Sequence, residues 1–457
     1  MFLCIIFSGM TKSRLQNSTL VRSLEIGRVL SCVLLAAFLL GGTGVEDVSG
    51  KPLTLEQAID LVLERNEIPR IATLRVEQAK AARRGAYAGL LPTLSVSGTY
   101  TRRAKEISRD MNGEQIILQS KNALGTNAQA RIDLFDPSAF PLIGGATSDI
   151  EAAVLMRLES ERTLCFDVAE SFFAVLSAER LVNAAKKRDE LSQGVLNQMK
   201  ARLEAGLAGV NEVTRSELEL ESAKLAVTTA QSSVEFARLS LGYLIDETVD
   251  GPLVEPSMRI EVGKDPVALE QQAVYERGDL KAGRATAEAT RKRSKEPWMR
   301  LIPGIGVLAT WRATNEPGIS NMSTDWNVAT TLTWVLYDGG LRYAEARRLA
   351  AEYEIVTLET KALRRRVGFE VRSALTSLKT AQAAVEQAEA RLVVAQKNAI
   401  EVRERFVHGL STALEQADAA VSEFEATVEV ERQKLNGRVA TLSLLRALGR
   451  WPVEKSN

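Results

Sequence analysis

The stretch GLLPTLSVSGTYTRR, Gly89 to Arg103, decides the fold. It follows an alanine- and charge-rich run of helical character. Past Pro92 the period changes: Leu94, Val96, Gly98 and Tyr100 fall on one side, Ser95, Ser97, Thr99 and Thr101 on the other. Extended chains alternate their side chains between two faces, so this is a strand with one apolar and one hydroxyl face. Pro92 suits the change of direction, because proline disfavours helical geometry in its predecessor and cannot continue a helical ladder.

The same transition occurs again. LLPTLSV returns as LIPGIGV, Leu301 to Val307, at an offset of 211 residues, with Pro303 in the place of Pro92. LFDP, Leu134 to Pro137, matches LYDG, Leu336 to Gly339, at 202. RLEAGL, Arg202 to Leu207, matches RFVHGL, Arg405 to Leu410, at 203, and RLSLGYLID from Arg238 lies over TLSLLRALG from Thr441 at the same offset. Four matches in one order mean that the chain repeats itself once, in units of roughly 200 residues. The expected division is residues 45–245 for the first repeat, 246–266 for a link, 267–449 for the second repeat and 450–457 for a tail.

Each repeat reads as helix, strand, turn region, strand, very long helix, tight break, shorter helix. From Leu341 to His408 there is no proline and one glycine, Gly368. Val371, Leu378, Val385, Leu392, Ala399 and Phe406 hold one heptad position, and Ala374, Ala381, Ala388, Ala395 and Val402 another, the alternation of a coiled-coil seam. At 1.5 Å per residue the span is about 100 Å long, far beyond an ordinary globular helix. The first repeat has its counterpart from about Ser138 to Ala205. Both become antiparallel hairpins that turn at EAGLAG and HGLST, where glycine is a natural breaker.

Four strand candidates follow: Leu94 to Thr101, Thr126 to Phe135, GIGVLATWR and NVATTLTWVL. Asn127, Gln129, Arg131 and Asp133 oppose Ala128, Ala130, Ile132 and Leu134; Thr331 and Thr333 oppose Val328, Leu332 and Trp334. Each has about the length of a tilted membrane strand. Tyr100, Trp311, Trp334 and Tyr337 stand where an interfacial aromatic girdle would put them. A soluble sheet shows the same alternation. In a membrane, two hairpins cannot close a barrel and open edges cannot stay in hydrocarbon, so several chains would have to contribute. The reading puts the polar set toward water and Leu332 near mid-bilayer.

Composition narrows the chemistry. Lys plus Arg and Asp plus Glu are 58 each, which gives no reason to expect a nucleic-acid partner. His408 is the only histidine and no GxxxxGK[ST] occurs, so histidine triads, histidine metal sites and P-loop hydrolysis are set aside. No catalysis, cofactor or metal is expected. Lys12, Arg14, Arg22 and Arg28 precede the apolar run Val29 to Leu40 and GGTG, so residues 1–44 read as a secretory signal, with Met10 as a possible start. Cys32 in VLSC resembles an acylation site but begins the apolar run instead of ending it. Removal of the signal leaves one cysteine, Cys165, so no intrachain disulfide is expected.

From LTLEQAIDLVLERN, Leu53 to Asn66, to LLRALG, Leu444 to Gly449, through LFDPSAF, LYDGG and both glycine turns, the sequence resembles the TolC-like outer membrane factor family. The resemblance implies a mixed α/β membrane duct. A homotrimer with four strands per chain forms a 12-stranded β-barrel in outer-membrane lipid, continuous with a long α-helical coiled-coil periplasmic tunnel. It implies an exit duct for efflux of small toxic compounds or for polypeptide secretion, working with a periplasmic adaptor and an inner-membrane transporter. A soluble periplasmic coiled-coil scaffold is the competing reading. The tips Gly206, Leu207, Gly409, Leu410 and Ser411 match positions that meet the adaptor, and Glu415 and Asp418 match carboxylates that ring the periplasmic aperture. Glu212 has the corresponding place after the first tip, with Arg215 where a second acid is expected. Two departures concern junctions: Glu67 follows Asn66 where the family often has proline, and LFDPSAF lacks the paired glycines of LYDGG.

Overall fold

A computed structural model describes residues 52–111, 114–256, 265–316 and 322–453. The leader, with Cys32, lies outside the described residues, as do 257–264 of the link and 454–457 of the tail. In chain order the elements are α1 (Leu55–Arg65), α2 (Glu67–Ala88), β1 (Thr93–Arg102), β2 (Ile107–Met111), β3 (Glu114–Gln119), β4 (Asn122–Phe135), α3 (Ala139–Glu204) and α4 (Val210–Ile245). The second repeat follows as α5 (Pro266–Glu276), α6 (Gly278–Arg293), α7 (Glu296–Met299), β5 (Gly304–Thr314), β6 (Thr324–Thr333), α8 (Leu341–Val407) and α9 (Ala413–Leu448).

The sheet is antiparallel in the order β1-β4-β5-β6. Its register aligns the faces read from sequence. Leu94 opposes Ala130, Ala130 opposes Ala309, and Ala309 opposes Val328, while Ser95, Gln129, Thr310 and Asn327 form the adjacent row on the other face. A second hairpin, β2–β3, was not foreseen; it pairs only with itself, beyond the end of β1. Leu332 proves to be the penultimate residue of β6, so it stands near the strand end and not at mid-depth.

All helical connections leave the sheet from one end, next to Thr93, Phe135, Gly304 and Thr333. Below it the helices pack in the order α2, α3, α6, α8; farther down, α4, α3, α9, α8. The main core lies at the joint, where Phe166, Phe172 and Phe173 of α3 pack with Leu55, Val62, Leu241 and Leu442. Cys165 is buried there as well. The link takes part in the fold: Leu253 bridges Leu53, with Leu53 N–H donating to Pro252 O at 3.0 Å.

Both departures at the junctions are absorbed locally. Asn66 caps α2 by accepting from Ile68 N–H at 3.0 Å, and Pro69 fits the first turn, where its missing N–H costs nothing. At LYDGG, Gly339 and Gly340 take φ of 69° and 88°, a region closed to most residues. LFDPSAF needs no such turn: the Asp136 carboxylate accepts from Ser138 N–H at 3.0 Å and from its hydroxyl at 2.7 Å.

Candidate functional site

The polar face of the sheet carries a recess of about 640 Å³ lined by Thr93, Gln129, Arg131, Asp133 and Thr331. This makes it the concave side. Arg131 pairs with Asp133 at 3.2 Å, both on that face. The opposite face leaves Leu94, Val96, Val328 and Leu332 largely uncovered. A sheet with no core on its apolar side needs an apolar medium there.

The aromatic residues fall at two levels. Tyr100 and Trp311 stand toward the end that bears β2–β3, with Tyr100 Oη donating to Asn122 Oδ1 at 3.0 Å. Trp334 and Tyr337 stand just past β6 at the helical end, and Trp334 Nε1 donates to Leu301 O at 3.0 Å. Sequence reasoning missed Trp326, which is directly opposite Trp311 and exposed. The signal was there: the alternation Val328, Thr330, Leu332, Trp334 extends one step upstream. Trp334 comes eight positions after Trp326, about 26 Å of extended chain, comparable to the apolar band of an outer-membrane barrel.

At the far ends of the long helices the two turns share one construction. Gly206 N–H donates to Leu203 O and Leu207 N–H to Arg202 O; Gly409 N–H donates to Phe406 O and Leu410 N–H to Arg405 O. These are paired Schellman motifs, closed by glycines at φ 69° and 75°. They leave Leu207 and Leu410 at 78% and 69% exposure, apolar side chains held out by their turns. Ser411 Oγ donates inward to Val402 O at 3.3 Å. The tips are joined: Arg202 donates to Phe406 O at 2.8 Å and stacks over the Phe406 ring at 4.5 Å.

The acidic positions have a local role first. The Glu415 carboxylate accepts from Thr412 N–H at 2.9 Å while Thr412 Oγ accepts from Glu415 N–H at 3.2 Å, a capping box. Glu212 does the same for Gly209 N–H at 3.1 Å. Arg215 and Asp418 are brought to one recess of about 480 Å³ between α4 and α9, without an ion pair between them. Among the described residues no three His, Cys, Asp or Glu side chains come together to hold a metal ion.

The sequence model for outer membrane efflux proteins matches residues 58–245 and 269–450. TolC of Salmonella enteritidis is 20% identical over 421 residues, 87% of this chain and 83% of TolC. The probable efflux pump outer membrane protein TtgC of Pseudomonas putida is 22% identical over 413 residues, 86% of this chain and 82% of TtgC. The open-state MtrE outer membrane channel of Neisseria gonorrhoeae has the same fold, with a TM-score of 0.74 at 19% identity over 88% of this chain and 90% of that one. Both repeats are matched, and the chain belongs to the outer membrane efflux protein family, with its strands in the outer membrane and its helices in a periplasmic tunnel.

Proposed function

We propose that this outer-membrane efflux channel is a passive, water-filled homotrimeric duct for small toxic compounds, loaded by a periplasmic adaptor and an inner-membrane transporter. The observation that carries the reading is the two-faced sheet with every helix leaving from one end. Its apolar side calls for lipid, its concave polar side for water, and its two open edges, β1 and β6, for further copies. Relatives named as efflux-pump components favour small compounds over polypeptide cargo. Conductance of the detergent-purified trimer in planar bilayers, with sensitivity of a deletion strain to dyes and detergents, tests it. A monomeric protein, or one released from membranes by salt alone, would refute the duct.

The tips are the adaptor contact in this reading. Bulky residues at Gly206 or Gly409 mix a docking effect with backbone strain, since both glycines have positive φ. Leu207→Glu with Leu410→Glu avoids that problem. The double variant is expected to cut export at least about tenfold, as loss of central apolar anchors does in other interfaces, while trimers remain in the membrane. Unchanged export and unchanged adaptor crosslinking would exclude tip docking.

Three copies of Glu415 and Asp418 would place six carboxylates around the entrance. Glu415→Gln preserves the capping box because glutamine serves equally at that position, so charge is removed without unwinding α9. Combined with Asp418→Asn, it is expected to weaken block by divalent cations and lower cation selectivity. Channels that assemble normally with both properties intact would assign these residues to capping and solvation alone.

A further inference from the structure

In the upper third of α8, α6 and α8 enclose a groove of about 330 Å³ lined by Arg284, Arg291, Lys361 and Arg364, with Glu288 the only acid in its wall. Glu288 is already engaged: Arg291 holds it through two nitrogens at 2.7 Å, and Lys292 lies at 3.8 Å. Among the described residues Arg284, Lys361 and Arg364, all exposed, have no carboxylate partner within 4 Å. Thr357 and Tyr353 add hydroxyl groups to the same wall. Three unpaired cations converging on a hydroxyl-lined groove form a place for an anion.

Two features put the groove on the outside of the tube, which here rests on the duct reading. Thr357, Lys361, Arg364 and Gly368 follow one another at helical spacing and make one stripe of α8. Against that stripe, just below the groove, lies α5: a Cβ at Gly368 would meet Glu270 Oε1 at 2.5 Å, and Leu269 and Ala273 pack on Val367 and Val371. A short helix laid on the wall of an open conduit lies outside the bore. The exposed apolar residues Ile355 and Phe369, which suit a neighbouring copy, project about 180° and 140° around α8 from Arg364. Assembly therefore leaves the groove open.

Its depth selects the ligand. Lys361 is 20 residues along α8 from Leu341, about 30 Å below the sheet end at 1.5 Å per residue. Headgroups extend only about 5–8 Å beyond the hydrocarbon, so lipid phosphates are out of reach. We propose that this groove binds the carboxylates of a periplasmic polymer, the chemistry of the peptide stems of the cell wall, and braces the tube where it passes through that layer. Each exposed contact is weak, but three grooves around one trimer engage one network together.

The test is co-sedimentation of the detergent-purified trimer with protein-free cell-wall sacculi. The parent is expected to sediment at low salt and to be released at about 0.5 M salt, where screening reaches contact distance. Lys361→Gln with Arg364→Gln should lower the bound fraction about tenfold, since multivalent capture magnifies each lost contact. Lys379→Gln with Lys397→Gln, which removes the same charge from exposed positions farther along α8 and away from the Ile355 face, should bind like the parent. Equal losses in both variants, no sedimentation of the parent, or equally strong capture by phosphatidylglycerol vesicles would each overturn the proposal. Bilayer conductance of the same preparations should be unaffected by either variant. A parent without conductance would instead refute the duct, whatever the sedimentation shows.

Discussion

Arg277→Ala is expected to destabilise the folded chain by about 3–5 kcal/mol, the cost of breaking a buried ion cluster by removing one partner. Arg277 is 7% exposed and caps both α5 and α6 at the joint of the repeats. Its guanidinium donates to both oxygens of Asp279, at 3.1 and 2.6 Å, and to Glu370 of α8. Its backbone is pressed against Gly449 at the end of α9, where a Cβ would come within 3.1 Å of Arg277 N. Alongside, buried Arg162 of α3 pairs with Glu159 and donates to Arg446 O at 2.9 Å, which brings the first repeat into the same joint. Arg65, which has the matching place in the first repeat, offers a contrast: it meets Glu247 at 2.8 Å with both side chains over 40% exposed. Arg65→Ala should therefore cost no more than about 1 kcal/mol. Thermal melts of the two purified variants provide the comparison, and equal losses would contradict it.

The difference should depend on pH. Burial raises the pKa of Asp279, but the hydrogen bonds and charge of Arg277 and the Leu280 N–H outweigh it, so the carboxyl lies below the ordinary range. A depressed folded pKa contributes stability above the unfolded value of about 3.9 and loses it as pH falls through the folded value. The gap between parent and Arg277→Ala should thus be full at pH 7 and shrink below about pH 4.

What was legible in the sequence is what local periodicity encodes. A sheet between two media needs strict alternation. The strand faces could therefore be assigned before any pairing was known, and the rows Leu94–Ala130–Ala309–Val328 and Ser95–Gln129–Thr310–Asn327 agree with them. The long helix read from Leu341 to His408 runs Leu341–Val407 because the glycine that closes its Schellman turn is visible in HGLST. The β2–β3 hairpin escaped because ISRDM and EQIILQ pair only with each other and carry no consistent apolar face. The Arg202 contact with Phe406 joins residues 204 apart, and no periodicity reports such a meeting. The Arg277 cluster was hidden for a similar reason: ERGD reads as an ordinary solvated turn until α8 and α9 close over it. Glu415 was found by resemblance, and its capping bond was legible too, in the T-x-x-E of Thr412 to Glu415 that opens α9.

Thr330→Arg and Thr331→Arg are expected to differ sharply although they make the same change one residue apart on β6. Both threonines are exposed in the single chain, so local packing does not separate them. Register does: Thr330 opposes Val307 on the apolar face, and Thr331 opposes Gly306, which in turn opposes Asp133 on the polar face. Thr330 is four residues from both Trp326 and Trp334, at mid-depth between the aromatic levels. Arginine there puts a charge in the middle of the bilayer, at about 2–4 kcal/mol per chain, a cost that the proposed trimer would bear three times. At Thr331 the same arginine enters water, faces a glycine that leaves room for it, and has the Asp133 carboxylate in the same row. Thr330→Arg should therefore lose most heat-resistant trimer from the outer membrane, whereas Thr331→Arg should assemble and shift channel selectivity toward anions. Urea unfolding in lipid vesicles and reversal potentials in planar bilayers measure the two outcomes. The opposite ranking would turn the barrel inside out, and equal tolerance would place β6 in water on both sides.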